Sequence, residues 1–407
     1  MSVQMVDSYS VFTVCNLAYL PKALVLAESL LQHGGHKLKI HIIDRKCDIE
    51  LPTSLADFTW IEDVGVPNLY DLAFKYDITE FSTSVKPFIT LRLLKNCEKV
   101  IFLDPDTCAY NPINGIVEEL DKYPIVLTPH YIKPKDNDPA DSDVGMLRFG
   151  SFNLGFYAVN SSTEALDFLQ WWCDRCFRFC YFESQFGLST DQKWVSIAPC
   201  FFPNLHVSFN VGYNVAFWNI QERVLSKSPD GGYLVNGTAP LIFFHFSSFD
   251  ERTPALLSKR LFPERGGERR DWLELSEAYK DALQKHAMGA ATQRYGFDYM
   301  SNGDYISPTL RRAYACVAGE FPMGVNPFES EGVVGKFARK NHLIEKNGAP
   351  FVSNSYGDVV KHKLIFRIIN GLMRLILKIL GPNRFANFSR LLVYLSGYRQ
   401  NRDLWKL

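Results

Sequence analysis

The stretch Lys99-Val-Ile-Phe-Leu-Asp-Pro-Asp-Thr107 joins an apolar run to two closely spaced carboxylates. Val100–Leu103 is β-branched or apolar throughout, which predicts a buried strand. Asp104 and Asp106 follow it, and the fixed φ of Pro105 between them keeps the turn stiff. Two carboxylates at the end of a buried strand suit a divalent cation that also binds phosphate oxygens. An ordinary strand-ending turn is the alternative, because Asp and Pro both favour turns.

Length and composition describe a globular chain whose charge is unevenly distributed. The 407 residues are 47% hydrophobic and 22% charged, with a formal net charge of zero. Residues 361–407 carry ten Lys or Arg and one acid, Asp403, so the remainder has a net charge of −9. This distribution argues against nucleic acid as a main partner and points to an anionic surface for the tail. Without a signal-peptide pattern or a secreted cysteine spacing, we expect reduced thiols and a cytoplasmic location.

The start of the chain has a strand–helix–strand pattern. Val11–Cys15 and Leu38–Ile43 are predicted strands, and the helix between them has Pro21 in its first turn and Gly34-Gly35 at its end. This order predicts a right-handed βαβ unit and therefore a largely parallel α/β sheet. The unit lacks G-x-G-x-x-G, so a dinucleotide cofactor is not indicated.

Three later segments carry polar groups next to predicted strands or helices. Ser82–Leu94 is a predicted helix with a Ser or Thr cap, and Lys86 lies near its start, where the helix dipole disfavours a cation unless an anion is close. Phe152–Asn160 is a predicted strand, and the glycine inside it indicates close approach of a ligand or backbone. Leu241–Ser247 is a predicted buried strand that carries His245. Judged alone, this histidine would be a hydrogen-bonded core residue.

The chain resembles the GT-A glycosyltransferases, and among them the glycogenin-like family 8 and its bacterial relatives in surface-polysaccharide synthesis. The resemblance covers about residues 8–260 and rests on ordered segments: Asn16–Leu30, Lys99–Thr107, Asn153–Gly155, Gly187–Trp194 and Leu241–Ser247. It implies an α/β fold of the GT-A, Rossmann-like kind, a mixed sheet flanked by helices, to which this chain adds a C-terminal helical extension. It also implies a nucleotide-sugar donor, with a UDP-sugar favoured, and Mn²⁺ or Mg²⁺ on the diphosphate.

The resemblance further implies roles for nine residues of this sequence. They are the metal ligands Asp104, Asp106 and His245, the donor-binding residues Asn16, Tyr19, Lys86 and Asn153, and the catalytic residues Asp191 and Gln192. Gln192 would lie under the anomeric carbon, and a neutral amide there favours retention, since an inverting enzyme needs a carboxylate base near the acceptor.

Ordinary structural roles remain open for several of these residues. Asn16 could be a turn residue, Tyr19 a packing aromatic, Lys86 a solvated lysine and Asp191 a helix N-cap. The sequence also departs from the family, because the phosphate-binding lysine expected soon after the histidine is replaced by Ser247-Ser-Phe-Asp250, and Lys259 comes only later.

The C-terminal segment predicts a basic amphipathic helix. Lys363, Arg367, Asn370, Arg374 and Lys378 fall within an arc of about 80° at 100° per residue, and the other positions are mostly apolar. The regular charges interrupt the apolar run too often for a comfortable membrane span, so we expect a helix that lies on an anionic membrane and ends at Gly381-Pro382. Docking onto the protein's own core is the alternative.

These patterns together predict three segments and one activity. Residues 1–262 would form the GT-A domain, 263–360 a helical and loop extension, and 361–407 a tail that holds the protein as a peripheral protein on the inner membrane face. The predicted activity is metal-dependent transfer of sugar from a nucleotide-diphosphate sugar to a glycan or lipid-linked glycan, with retention, in surface-polysaccharide biosynthesis. The alternatives are a non-catalytic nucleotide-sugar-binding scaffold of a glycan-assembly complex, and a nucleotidyltransferase, whose Gly-rich N-terminal loop is missing here.

Overall fold

The computed structural model describes residues 7–135, 143–254, 270–345, 363–396 and residue 405. Its contacts group the chain into two compact units. The first unit comprises Met1–Leu69 and Ile78–Gly296, and the second comprises Tyr70–Asp77 and Phe297–Leu407. The three-segment division expected from the sequence remains a prediction.

The strands all lie in the first unit within the described residues. In chain order they are β1 (Asp7–Cys15), β2 (Leu38–Ile42), β3 (Ala56–Trp60), β4 (Cys97–Leu103), β5 (Thr107–Ala109), β6 (Ile125–Pro129), β7 (Phe152–Asn160), β8 (Phe182–Glu183), β9 (Leu188–Ser189), β10 (Leu205–Val207), β11 (Leu225–Lys227), β12 (Tyr233–Val235), β13 (Ala239–Pro240) and β14 (Phe243–His245). Seven of them form the main sheet, in the order β10-β6-β7-β4-β1-β2-β3. Strand β7 runs antiparallel to both of its neighbours, and the other pairs are parallel, so the predicted mixed sheet is confirmed.

The helices flank this sheet and build the second unit. In chain order they are α1 (Leu20–Gly34), α2 (Ile61–Val64), α3 (Leu69–Lys75), α4 (Ile78–Ser84), α5 (Lys86–Leu93), α6 (Asn114–Leu120), α7 (Asp143–Phe149), α8 (Thr163–Phe179), α9 (Gln192–Val195), α10 (Leu273–Lys285), α11 (Pro308–Val317), α12 (Val333–Lys340) and α13 (Lys363–Ser396). Short 3₁₀ turns lie at Leu17–Tyr19, Ser184–Phe186, Ala198–Cys200, Ile220–Glu222, Arg270–Trp272, Gly289–Thr292, Gly296–Asp298 and Ala318–Glu320.

Strand β4 is buried on both faces, as its composition predicts. Ile101 and Leu103 join a core cluster with α1 on one face. On the other face Phe102 stacks on Tyr157 with ring centroids 5.1 Å apart, and Trp172 of α8 packs edge-on against Tyr157. Burying each such side chain contributes about 1.5–3 kcal/mol, so the strand that leads to Asp104 is firmly held.

A two-stranded antiparallel ladder lies beside the main sheet. Strand β14 pairs with β5, and His245 lies opposite Thr107. The next residue, Phe246, stacks on Tyr279 of α10 with ring centroids 3.8 Å apart. Helix α10, for which the sequence carried no functional motif, thus packs against the segment that follows the predicted histidine ligand.

The helix predicted over Ser82–Leu94 with a Ser or Thr cap is wrong in its boundaries. The structure instead has two helices, α4 and α5, separated at Val85. Pro87 has no N–H to donate to the helix, which explains the interruption near this point. Ser82 and Thr83 donate their hydroxyl hydrogens to the carbonyl of Thr79 rather than capping a new helix.

The second unit is organised around a buried arginine. The Arg311 guanidinium donates to the carbonyl oxygens of Ala73, Phe74 and Tyr76 at 2.7–3.0 Å and pairs with Asp298 at 2.6 Å. These carbonyls lie at the end of α3, where the last turn of a helix leaves its acceptors unsatisfied. Arg311 therefore joins residues 70–77 to α11.

Helix α13 changes direction at Gly381, whose φ of 73° and ψ of 163° are not helical, and Pro382 follows. The break predicted at Gly381-Pro382 is therefore present. Many apolar side chains of α13 are exposed, among them Leu364, Ile368, Leu372, Leu375 and Ile379. Among the described helices, none combines the length and apolar character that crossing a bilayer requires.

Candidate active site

Asp104 and Asp106 lie immediately after β4, in a turn that leads into β5. The Asp104 N–H donates to the carbonyl of Gly155 on β7 at 2.8 Å, and the Thr107 N–H closes the turn on the Asp104 carbonyl at 3.1 Å. Asp106 is buried and Asp104 is partly exposed. The backbone thus holds both carboxylates at the carboxyl end of β4, as the sequence predicts.

His245 reaches these carboxylates from β14. Its Nε2 lies 3.0 Å from Oδ1 of Asp106 and 3.8 Å from Oδ2 of Asp104. One ligand atom from each residue lies within 4.8 Å of the other two. Two carboxylate oxygens and an imidazole nitrogen form a donor set that suits a first-row divalent cation such as Mn²⁺. The three residues expected as metal ligands are therefore brought together.

The electrostatics of this cluster favour positive charge between the carboxylates. Burial raises the pKa of Asp106, but the charge and hydrogen bond of His245 outweigh burial and bring this pKa down to about 2. Burial lowers the pKa of His245, whereas the charges of Asp106 and Asp104 raise it, and the net shift is upward. A divalent cation would neutralise the two carboxylates more strongly than the charged imidazole does.

Lys86 lies between two of the site's carboxylates. Its Nζ is 3.4 Å from Asp104 Oδ1 and 3.5 Å from Asp191 Oδ2, and it donates to the Leu154 carbonyl at 2.9 Å. Burial lowers the pKa of this ammonium, but the two carboxylates raise it by more. Lys86 is therefore a buried cation in the site and not the solvated lysine considered as its alternative.

Asp191 is the second carboxylate beside Lys86, and Gln192 follows it as the first residue of α9. Asp191 is buried, and burial raises the pKa of its carboxyl despite the opposing charge of Lys86. It occupies the N-cap position of α9 but makes no side-chain capping hydrogen bond there, so capping does not occupy its carboxylate. The Gln192 amide donates to the Phe149 carbonyl at 3.0 Å and accepts from the Leu154 N–H at 3.3 Å, which fixes its orientation beside β7.

Asn153 lies at the start of β7 and is linked to His245 through the side chain of Asn214. Its Oδ1 accepts from the Gly155 N–H at 3.1 Å and from Nδ2 of Asn214 at 3.0 Å. Its Nδ2 lies 3.5 Å from Nε2 of His130. Burial lowers the pKa of His130 to about 4, so this imidazole is neutral near pH 7.

Asn16 and Tyr19 lie just after β1, a parallel neighbour of β4, and therefore at the same edge of the sheet. Asn16 is buried and accepts a hydrogen bond from the Tyr19 N–H at 3.2 Å, whereas the Tyr19 ring is exposed with the Lys22 ammonium 4.2 Å from its centroid. The turn role considered for Asn16 is therefore present, and the exposed Tyr19 ring is available to a ligand. Lys259 lies outside the described residues.

Two residues outside the nine that the resemblance implies, Asn214 and Trp218, support His245. Asn214 Oδ1 lies 3.2 Å from His245 Nδ1, and the Trp218 ring packs edge-on against the imidazole with centroids 5.0 Å apart. Both belong to the aromatic and amide stretch from Phe209 to Asn219, in which packing and ligand binding give the same pattern. Its composition alone therefore could not identify them.

Comparison with known proteins gives distant likenesses. No family model matches the chain. It is 26% identical over 246 residues to the uncharacterized protein YfnD of Bacillus subtilis, covering 58% of this chain and 76% of that protein. It is also 26% identical over 176 residues to YfnF of the same organism, covering 42% of this chain and 58% of YfnF, which is less than two thirds of that relative.

Solved structures similar to this chain are glycosyltransferases. The galactosyltransferase LgtC, solved with donor and acceptor sugar analogues, is 16% identical with a TM-score of 0.40, over 68% of this chain and 95% of that one. The glycosyltransferase GlyE of Streptococcus pneumoniae is 14% identical with a TM-score of 0.39, over 68% of this chain and 63% of GlyE. Likenesses at this level do not by themselves assign an activity to this chain.

We predict that Gly155→Ala disrupts the site. A Cβ at this position would lie 2.3 Å from Cε1 and 2.6 Å from Nδ1 of His245, whose ring is buried. Overpacking of this kind costs about 1–3 kcal/mol and would displace the histidine. Mn²⁺ titration calorimetry together with thermal unfolding should show weaker metal binding and lower stability.

Gly145→Ala is the matched control for this experiment, because no atom lies within 4 Å of a Cβ at Gly145. It should match the wild type in Mn²⁺ affinity and be at least as stable, because alanine favours a helix more than glycine does. Wild-type Mn²⁺ affinity in Gly155→Ala would contradict the expected collision.

Proposed function

We propose that this protein is a glycosyltransferase that moves a sugar from a nucleotide-diphosphate sugar, a UDP-sugar above all, to a glycan or lipid-linked glycan acceptor. The observation that carries the proposal is the cluster of Asp104, Asp106 and His245 at the carboxyl edge of the sheet, with Lys86 beside it. A nucleotidyltransferase is less favoured because the chain lacks the Gly-rich loop after β1. Surface-polysaccharide biosynthesis is the pathway class that we propose for the product.

The proposed mechanism assigns the leaving group to the cationic side of the site. Mn²⁺ or Mg²⁺ held by Asp104, Asp106 and His245 would neutralise charge on the leaving nucleoside diphosphate. Lys86 is buried, cationic and 3.4 Å from Asp104, so it would supply a second positive charge to the phosphates or the sugar. Asn16 and the exposed Tyr19 would hold the base and ribose at the same edge of the sheet.

The transferred sugar would lie beside the residues at the start of β7 and at the start of α9. Asp191 Oδ2 is buried without a hydrogen-bond donor among the described residues, apart from the lysine 3.5 Å away, and can accept from a sugar hydroxyl. Asn153 offers an amide from the start of β7. Gln192 is held in a fixed orientation and carries no charge, so it cannot act as the general base of an inverting reaction. We therefore propose retention of anomeric configuration.

Metal dependence is the first expected outcome. Asp106→Ala or Asp104→Asn should lower the rate of sugar transfer or donor hydrolysis at least about a hundredfold, because a lost charge clamp costs several kcal/mol. The measurement is turnover of a panel of nucleotide-sugars with Mn²⁺, with Mg²⁺ and with EDTA. Asp57→Asn, which removes an exposed carboxylate paired with Lys37, should leave the rate unchanged.

Undiminished turnover in EDTA would refute the metal-dependent mechanism. Binding of a nucleotide-sugar without turnover of any donor would instead favour the non-catalytic scaffold.

Stereochemistry gives a second expected outcome. With an α-linked donor, proton NMR of fresh product should show an α anomeric doublet, because the group at the Gln192 position is a neutral amide. A β product would mean inversion, and Asp191 would then become the candidate base.

We further propose that α13 holds the enzyme on the inner face of an anionic membrane as a peripheral protein. Arg367, Arg374 and Lys378 fall within one arc of the helix, and exposed Leu and Ile side chains occupy many of its other positions. Each basic residue near an anionic leaflet contributes about 1 kcal/mol, and each buried Leu or Ile adds roughly 1.5–3 kcal/mol.

Substituting Arg367, Arg374 and Lys378 together by Glu should therefore abolish most sedimentation with anionic vesicles. A chain ending near Tyr356 should lose sedimentation as well, and salt should weaken binding of the wild type. Lys340→Glu on α12 serves as a control for charge reversal outside α13 and should leave sedimentation close to that of the wild type. Equal sedimentation of all forms would exclude the anchor, and unfolding of the shortened chain would indicate that the helix packs on its own core.

A further inference from the structure

We infer that Asn214 is a positioning residue of the metal site: its amide sets the tautomer and orientation of His245 and links this ligand to Asn153. The inference rests on the function proposed above and assigns a role that the sequence did not indicate. Asn214 would not touch the metal, because it contacts the far side of the imidazole.

The orientation of the Asn214 amide follows from a backbone hydrogen bond. The Gly155 N–H can only donate, so the Asn153 side-chain atom 3.1 Å away is the oxygen. That oxygen also lies 3.0 Å from the Asn214 amide, so Asn214 must present its NH₂ group there. The same NH₂ group donates to the Thr128 hydroxyl at 3.1 Å.

The amide oxygen of Asn214 is therefore the atom that faces His245. A carboxamide oxygen can only accept, so the proton of the ring lies on Nδ1, 3.2 Å away. Nε2 is the nitrogen that faces Asp106: in the charged ring it donates to that carboxylate, and in the neutral ring its lone pair is available to a metal ion bound there. A different tautomer would lose this hydrogen bond in a buried site.

The backbone keeps this asparagine rigid. Asn214 has a φ of 50°, in the left-handed region that Asn tolerates better than most residues. Its side chain is buried, and its carbonyl accepts from the Asn219 amide at 3.0 Å. A side chain fixed in this way can hold the imidazole in one orientation and transmit displacement of Asn153 to the ligand.

Two variants test whether Asn214 acts by accepting a hydrogen bond from Nδ1 of His245 or only by supporting the fold. Asn214→Gly fits the left-handed backbone but removes the acceptor, and we expect Mn²⁺ affinity to fall about 10–100-fold. Asn214→Asp keeps an acceptor oxygen toward Nδ1 but sets its second oxygen against Asn153 Oδ1, and we expect its Mn²⁺ affinity to fall less than that of Asn214→Gly. Titration calorimetry with Mn²⁺ on the full chain gives the affinity, and thermal unfolding without metal gives the stability.

Asn111→Asp is the matched control, because Asn111 donates to the Leu241 carbonyl near β14 and does not contact the histidine. Loss of stability in both Asn214 variants with unchanged Mn²⁺ affinity would overturn the inference and leave a structural role only. Equal weakening in the Gly and Asp variants would also overturn it. If the wild type binds Mn²⁺ and Asn214→Gly weakens it, but no donor is turned over, then the proposed function fails and the positioning role stands.

Discussion

The pairing of one buried lysine with two carboxylates is the interaction on which the site depends. Lys86 lies 3.4 Å from Asp104 and 3.5 Å from Asp191, and its ammonium group also lies 4.5 Å above the Phe102 ring. Removing one member of a buried ion pair costs about 3–5 kcal/mol, because the remaining charge is left uncompensated. Since Phe102 belongs to β4, the strand that carries Asp104 also positions the cation that neutralises it. Lys86, at the start of α5, therefore couples the position of β4 to the charges of the two carboxylates.

Much of this arrangement could be predicted because it depends on local patterns. Buried strands such as β4 have distinctive composition, and carboxylates placed directly after them must lie at the carboxyl edge of a parallel sheet. The position of Asp104 and Asp106 was predicted in this way, and the Gly-Pro pair predicted the break at Gly381. The mixed sheet was implied by the resemblance to known glycosyltransferases, because the local pattern alone predicted a largely parallel sheet. His245 was assignable only through the resemblance to known glycosyltransferases, because a histidine on a buried strand is by itself ambiguous.

The remaining features depend on side chains that are distant in sequence. The need for glycine at position 155 comes from the imidazole of His245, and no pattern within β7 specifies that neighbour. Asn214 supports the same ring from a third part of the chain, and Arg311 satisfies carbonyls more than 230 positions earlier. Such contacts are set by packing after the elements have assembled. The glycine within β7 indicated a close approach but not its partner, and composition and periodicity carry no signal for the other two contacts. The break between α4 and α5 at Val85 differs from these distant contacts, because Pro87, two residues later, is a local signal for it.

The ladder between β5 and β14 has a consequence for the order in which the chain becomes functional. It joins segments separated by roughly 140 residues, and closing a loop of that length costs conformational entropy before any contact is gained. Pairings this remote in sequence also form slowly. During synthesis on the ribosome, β1, β4 and β7 are complete long before His245 emerges. A nascent chain would therefore carry its two aspartates on a finished strand for some time, with their histidine partner still to be made.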